Sequence, residues 1–214
     1  MIDISQLERF DSLESLIVEK GEAGSLTNAD LTNINLNGID LSGQNLSGAN
    51  LSCSVLIDCN FDRCDLSELY VQDADLSKSS FKGSDLGSAF FQRVILDNTI
   101  FDGANYSNAS LLICKLRGAS LINCNLESSQ ILESELDNAD FSKANLVRTE
   151  MRDSLFENTN FNGADLTGAD LRRTKLSQAD FTDSQTENVL YYGLSPWDGN
   201  LQQGDNKPSE FAGE

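Results

Sequence analysis

A period of five runs without interruption from Leu26 to Phe181. Every fifth residue, at numbers ending in 1 or 6, is bulky and apolar: twenty Leu, eight Phe, and Val71, Tyr106, Ile131 and Met151, thirty-two positions in one register. Two places earlier stands a small residue (Gly, Ala, Ser, Thr or Cys) in twenty-seven of the thirty-two cases, the exceptions being Ile34, Ile39, Gln44, Leu69 and Val94. A repeat this strict constrains the fold before any local propensity does. Residues five apart drift around a helix and fall on opposite faces of a plain strand. The chain must therefore turn once in every five residues, with the bulky residue and the small one pointing inward.

Four such units close a square coil of twenty residues, and the sequence tests that number. Sorting the inward positions by twenties puts Leu41, Phe61, Phe81, Phe101, Leu121, Phe141, Phe161 and Phe181 in one column, so six of the eight inward Phe share a side. A second column, Leu36, Leu56, Leu76, Leu96, Leu116, Leu136, Phe156 and Leu176, is almost pure Leu. At the parallel-strand spacing of about 4.8 Å, successive Phe rings fall within the roughly 4.5 to 7 Å of aromatic contact. The expected fold is all-β: a solenoid of about eight coils over residues 24–185, about 38 Å long at ~4.8 Å per coil, in which each coil meets only its neighbours and both ends need covering.

Residues 1–23 differ. Ser5 followed by Glu8 fits a capping box, and Leu7, Phe10, Leu13, Leu16 and Ile17 recur at helical spacing, which predicts an amphipathic helix from Ser5 to Lys20 ended by Gly21. Laid over the first coil it would cover open strand edges; as an alternative it docks a partner. After Phe181 the pattern fails at Thr186, and residues 186–197 crowd Val189, Leu190, Tyr191, Tyr192, Leu194 and Trp197 together. That cluster reads either as a cap on the last coil or as a dimer contact. Residues 198–214, rich in Gly, Gln, Asn, Pro and acid, have the composition of a disordered tail.

Units such as Ala29-Asp30-Leu31-Thr32-Asn33, Ala139-Asp140-Phe141-Ser142-Lys143 and Ala164-Asp165-Leu166-Thr167-Gly168 resemble the A(D/N)LXX units of the pentapeptide-repeat family. The resemblance covers about three quarters of the chain and implies a right-handed quadrilateral β-helix. It also implies a choice of roles. One branch of that family, the Qnr-type quinolone-resistance proteins, binds DNA gyrase or topoisomerase IV as a DNA-shaped acidic rod, dimerising through C-terminal ends; many other members have no settled role. Two departures stand against that branch here: no loop interrupts the register, and the aliphatic C-terminal segment of those dimers is not evident.

The chain has no His, which removes the commonest general base and metal ligand, and its acidic pairs recur with the repeat as a solvated face does. The expectation is a non-enzymatic protein with no cofactor and no metal. Cys59, Cys64, Cys114 and Cys124 stand in the small inward positions and read as buried reduced thiols; Cys64 and Cys124, three coils or roughly 14 Å apart, are too distant for a disulfide. The formal charge of −19 argues against direct contact with nucleic acid or an anionic membrane and points to a protein partner with a basic surface. Met1 to Lys20 lacks the layout of a signal peptide, and the chain is read as cytoplasmic.

What remains is surface. The side built on Leu31, Leu51, Val71, Phe91, Leu111, Ile131, Met151 and Leu171 turns Tyr70, Phe90, Leu112 and Leu132 outward on four successive coils. The stripe reads either as an interface or as ordinary scattered apolar exposure. The flanking positions of the Phe side and of the side built on Leu46, Leu66, Leu86, Tyr106, Leu126, Leu146 and Leu166 carry Asp40, Asp62, Asp65, Asp85, Asp102, Glu127, Asp140, Asp165 and Asp180 against Lys82 alone. The same positions on the other two sides carry eight acids against five cations. Two functions follow: an acidic, rod-shaped scaffold for protein–protein contacts, which is favoured, or a DNA mimic that binds gyrase or topoisomerase IV.

Overall fold

A computed structural model describes residues 8–9, 13–20 and 25–192. Its organising contact is a parallel bridge between residues twenty apart. Asp30 bridges Asn50, Asn35 bridges Val55, Asp40 bridges Asn60, and Asn45 bridges Asp65, and these four columns continue up the molecule to Asp170 with Leu190. Each turn of the chain is thus twenty residues long and four-sided. On the side of Val71, Phe91, Leu111 and Ile131 the bridges widen into a four-stranded parallel sheet of β3 (Tyr70–Gln72), β4 (Phe90–Gln92), β5 (Ser110–Leu112) and β6 (Gln130–Leu132).

The corners explain the period. Every residue ending in 3 or 8, from Asn28 to Asn188, has positive φ, eight of them Gly, as the third residue of a type II turn requires. Many of these corners are closed by the i to i+3 bond of such a turn, for instance Gln44 N–H donating to Leu41 O at 3.0 Å. All thirty-two bulky positions are buried. In the Phe column the rings of Phe61, Phe81 and Phe101 stack at 4.7 and 5.0 Å, and those of Phe141, Phe161 and Phe181 at 5.3 and 5.0 Å; Leu121 separates the two runs.

The small inward positions do more than fill space. Hydroxyls and thiols there donate to the carbonyl of the bulky residue one coil below: Ser54 to Leu31 at 2.8 Å, Ser79 to Leu56 at 2.6 Å, Thr149 to Leu126 at 2.8 Å, and the Cys59 and Cys64 thiols to Leu36 and Leu41, each at 2.9 Å. At Leu36, Leu41 and Leu126 this bond adds to that of the N–H three residues on, and at Leu31 and Leu56 the hydroxyl donates in place of that N–H, which it accepts.

At the N-terminal end the helix is shorter than the spacing predicts. α1 covers Leu13–Lys20, while Glu8–Arg9 form a strand, β1, paired in parallel with β2, Ile34–Asn35. Glu8 therefore cannot complete a capping box, and Ser5 and Gly21 lie outside the described residues. The physical reason is that the bare edge of the first coil supplies unpaired backbone groups, which an extended segment satisfies and a helix cannot. Leu16 joins the core, Ile17 packs against it, and Lys20 Nζ pairs with the Glu8 carboxylate at 2.7 Å. At the other end the bridging geometry runs past the expected limit at residue 185 to Leu190, because Val189 and Tyr191 take inward places despite Thr186. Among the described residues no helix is long and apolar enough to cross a membrane.

Candidate functional site

The acidic residues are first of all turn residues. An Asp or Asn just before a bulky residue accepts the N–H two places on: Asp40 from Ser42 at 2.9 Å, Asp65 from Ser67 at 3.1 Å, Asp85 from Gly87 at 3.0 Å, Asp140 from Ser142 at 2.8 Å, Asp165 from Thr167 at 3.0 Å and Asp180 from Thr182 at 2.9 Å. Asn45, Asn145 and Asn160 make the same bond at 2.9, 3.1 and 2.9 Å. Where a unit lacks that residue, the coil below supplies it. Asp62 accepts the N–H of Lys82, whose own unit has Ser80; Asp102 accepts that of Ile122, whose unit has Ser120. Asp97 serves Arg117, Asp137 serves Glu157, and Asn37 serves Ile57 in the same way.

Eight of the nine carboxylates singled out from the sequence thus hold a backbone N–H; the ninth, Glu127, pairs with Arg148. Asn performs the turn function equally well, so the negative charge is additional to it. The N–H and hydroxyl of Ser42 hold the Asp40 carboxyl below the usual carboxylate range, and the hydroxyl and N–H of Thr182 do the same for Asp180.

Charge is segregated, but through the cations. With corner residues included and each corner assigned to the side before it, the acidic half of residues 25–192 has twelve carboxylates and four cations, the other half twelve and eight. On that other half the arginines are matched to acids: Arg93 with Asp73 at 2.6 Å, Arg173 with Asp153 at 2.6 Å, Arg172 with Asp170 at 2.6 Å, Arg152 with Glu150 at 2.8 Å, and Arg117 with Glu135. Among the described residues, none of the eight Asp of the acidic half named above lies in an ion pair. Sequence reading by flanking positions missed the corner cations Arg63, Lys143 and Arg148; the positive-φ corners, once the coil is known, show that these residues point to solvent too.

The apolar stripe lies on the four-stranded sheet as two pairs either side of the inward column. Tyr70 and Phe90 are in register and their rings stack at 5.3 Å; Leu112 and Leu132 are in register on the other flank. Tyr70 is 40% exposed and the other three half-buried. Beside Leu112 the corner residue Ile113 is 47% exposed at φ 57°, a backbone state that a β-branched residue seldom adopts. At the C-terminal cluster Leu190 is exposed and Tyr191 and Tyr192 half-buried; Leu194 and Trp197 lie outside the described residues.

The five cysteines are free thiols. Burial pushes Cys59 and Cys64 up to about 11, and Cys114 and Cys124 up to about 12. No cluster of His, Cys, Asp or Glu fit to hold a metal occurs among the described residues. Tyr106, in a column otherwise of Leu, went unremarked from sequence: its ring meets Phe101 edge-on at 5.2 Å, and its buried hydroxyl has no hydrogen-bond partner among the described residues.

The sequence profile of pentapeptide repeats matches the chain in eight copies, across residues 25–111 and 114–183. The chain belongs to the pentapeptide-repeat family. No curated protein sequence matches the chain. Among solved structures, this pentapeptide-repeat protein is similar to trypsin-treated QnrB1, a plasmid-mediated fluoroquinolone resistance protein, at 20% identity and a TM-score of 0.66, over 91% of this chain and 92% of that one. It is also similar to HetL, a pentapeptide repeat protein involved in heterocyst differentiation regulation from the cyanobacterium Nostoc, at 22% identity and a TM-score of 0.44, over 85% and 93% of the two chains. At these identities the likeness to QnrB1 speaks for the fold.

Proposed function

We propose that this pentapeptide-repeat protein, wound as a right-handed quadrilateral β-helix of about eight coils, is a non-enzymatic scaffold whose acidic half binds a basic surface of another protein. One observation carries the reading. The eight Asp named on that half do a turn's work that Asn would do as well, yet among the described residues they stand without ion pairs, while six of the twelve acids opposite are paired with Arg. Unneutralised charge on one half favours steered association with a positive patch. The test exchanges Asp40, Asp62, Asp85, Asp102 and Asp140 for Asn, which retains the Oδ1 acceptor. A partner captured by the native chain, released by salt and not captured by the neutralised variant supports the reading; equal capture by both sinks it.

A second reading, that the basic surface is the DNA-binding saddle of DNA gyrase or topoisomerase IV, is favoured by the rod form and the continuous acidic half, and by the resistance function in the name of QnrB1. Against it stands the unbroken run of corners from Asn28 to Asn188, which leaves no room for an inserted loop. The test is a gyrase supercoiling assay titrated with this protein, with and without a fluoroquinolone. Inhibition or drug rescue that disappears in the Asn variant supports it; no effect at micromolar protein excludes it.

A further inference from the structure

On the side that carries the apolar stripe, six successive coils from Tyr70 to Asp170 each place three residues outside the core column: one before the inward position, one after it, and a corner. Three of the four large apolar side chains exposed among the described residues, Tyr70, Ile113 and Leu190, stand on this side. Its charges have an order. The lowest two corners are Asp73 and then Arg93, joined by hydrogen bonds of 2.6 and 2.7 Å; the highest two are Asp153 and then Arg173, joined by two of 2.6 Å. Up the rod the corner column therefore reads acid, base, Ile113, Glu133, acid, base. Turned end for end, it is its own electrostatic complement at both ends.

The face beside those corners follows the same rule. The two lower coils lay aromatic rings on it: Tyr70 and Phe90 stack at 5.3 Å, and the Tyr70 hydroxyl donates to Gln72 Oε1 at 2.9 Å. The two upper coils lay guanidiniums on it: Arg152 donates to Glu150 at 2.8 Å, and Arg172 to Asp170 at 2.8 and 2.6 Å. Between them, in register, lie Leu112 and Leu132.

We propose that two copies of this chain pair antiparallel over this side, about a two-fold axis that crosses the rod between Leu112 and Leu132. Such an axis sets each column against the same column of the other copy and reverses the order of the coils. Leu112 then meets Leu132 of the second copy, twice, at the axis. Asp73 faces Arg173 of the second copy and Arg93 faces Asp153, each also twice. The Tyr70 and Phe90 rings come under the guanidiniums of Arg172 and Arg152, a pairing that the ring quadrupole favours. Glu133 faces Ile113, and no like charges meet over the six coils. A slip of one coil, about 4.8 Å, would set Asp73 against Asp153 or Arg93 against Arg173, so the charges fix one register. The contact is isologous, apolar at its centre and charged at its rim. It leaves the acidic half of both copies open, so the scaffold reading stands or falls separately.

Sedimentation equilibrium of the full chain at low ionic strength should show a monomer–dimer equilibrium. Leu112→Ser/Leu132→Ser, with circular dichroism unchanged, should be monomeric. Exchanging one corner pair, Asp73→Arg/Arg93→Asp, keeps the ion pair within the chain but sets like charges against the second copy. It should weaken the dimer about tenfold, because four exposed contacts of small individual worth change sign together. Adding Asp153→Arg/Arg173→Asp to the same chain makes every facing pair opposite again and should return the native affinity. Three results overturn the proposal. A native monomer at submillimolar protein gives the stripe to another occupant, the chain's own end or a different protein. A dimer that survives the Leu variant is built elsewhere on the chain. A dimer that the single exchange leaves intact, or that the double exchange does not restore, is not antiparallel in this register.

Discussion

Asp62 in one coil accepts the backbone N–H of Lys82 in the next, at 2.9 Å, and the Ser80 hydroxyl at 2.5 Å through the same oxygen. The carboxylate is thus a tie between coils, and its charge is separable from that tie. Asp62→Asn should change stability by less than about 0.5 kcal/mol, since a neutral acceptor remains, whereas Asp62→Ala should cost about 1 kcal/mol for the orphaned N–H. Urea unfolding of the two variants checks this. Reversal of Asp62, Asp102 and Asp140 to Lys would remove two ties between coils and one turn bond along with the charge, and is the poorer probe of binding.

Tyr106 gives the opposite expectation. Its hydroxyl is buried without a partner among the described residues, and leaving such a group unsatisfied costs about 1–3 kcal/mol. Tyr106→Phe keeps the edge contact with Phe101 and should raise stability by about 1 kcal/mol, read as a higher denaturation midpoint at unchanged slope.

At Ile113 the gain lies in the backbone. A β-branched residue at φ 57° pays about 1–2 kcal/mol that Asn largely avoids. Ile113→Asn should stabilise the rod by about 1 kcal/mol in the same unfolding measurement.

Thiol chemistry should divide four to one. Burial has pushed Cys59, Cys64, Cys114 and Cys124 up to about 11 or 12, so at pH 8 they should react with a maleimide only as the rod opens. Cys53, half-buried at a corner, should react first. Mass spectrometry of the native protein should show one adduct early and five only after unfolding.

Acid should unfold the protein through its tied carboxylates. Asp30, Asp40, Asp73, Asp153 and Asp180 are held low by hydrogen bonds from Thr32, Ser42, Arg93, Arg173 and Thr182, and Asp170, although burial opposes it, by Arg172. A group lowered on folding stabilises fully above its unfolded value, near 4, and loses that contribution as pH falls through its folded value. The melting temperature should thus hold from pH 7 to about 5 and drop steeply below about 4.

The inward columns were legible in the sequence because one side chain in five decides burial, and the Phe61 to Phe101 and Phe141 to Phe181 stacks follow from position alone. The ties of Asp62 and Asp102 were not legible, since each serves a unit twenty residues on and means nothing until the coil is closed. Flanking acids gave the sign of the surface but misjudged its cause: corner residues such as Arg63 and Lys143 carry cations that a two-position count leaves out. Helical spacing at Leu13, Leu16 and Ile17 foretold α1, whereas the strand at Glu8 follows from an edge that exists only once the first coil has formed.

The bridges between residues twenty apart also limit how such a chain can change in length. Losing or gaining a single unit of five would rotate everything beyond it by a quarter turn, bringing Phe under Leu and separating each Asp tie from its N–H. Only whole turns can be added or removed with the columns still in phase. The molecule has a quantised length, and its natural mode of growth is duplication of twenty residues at a time.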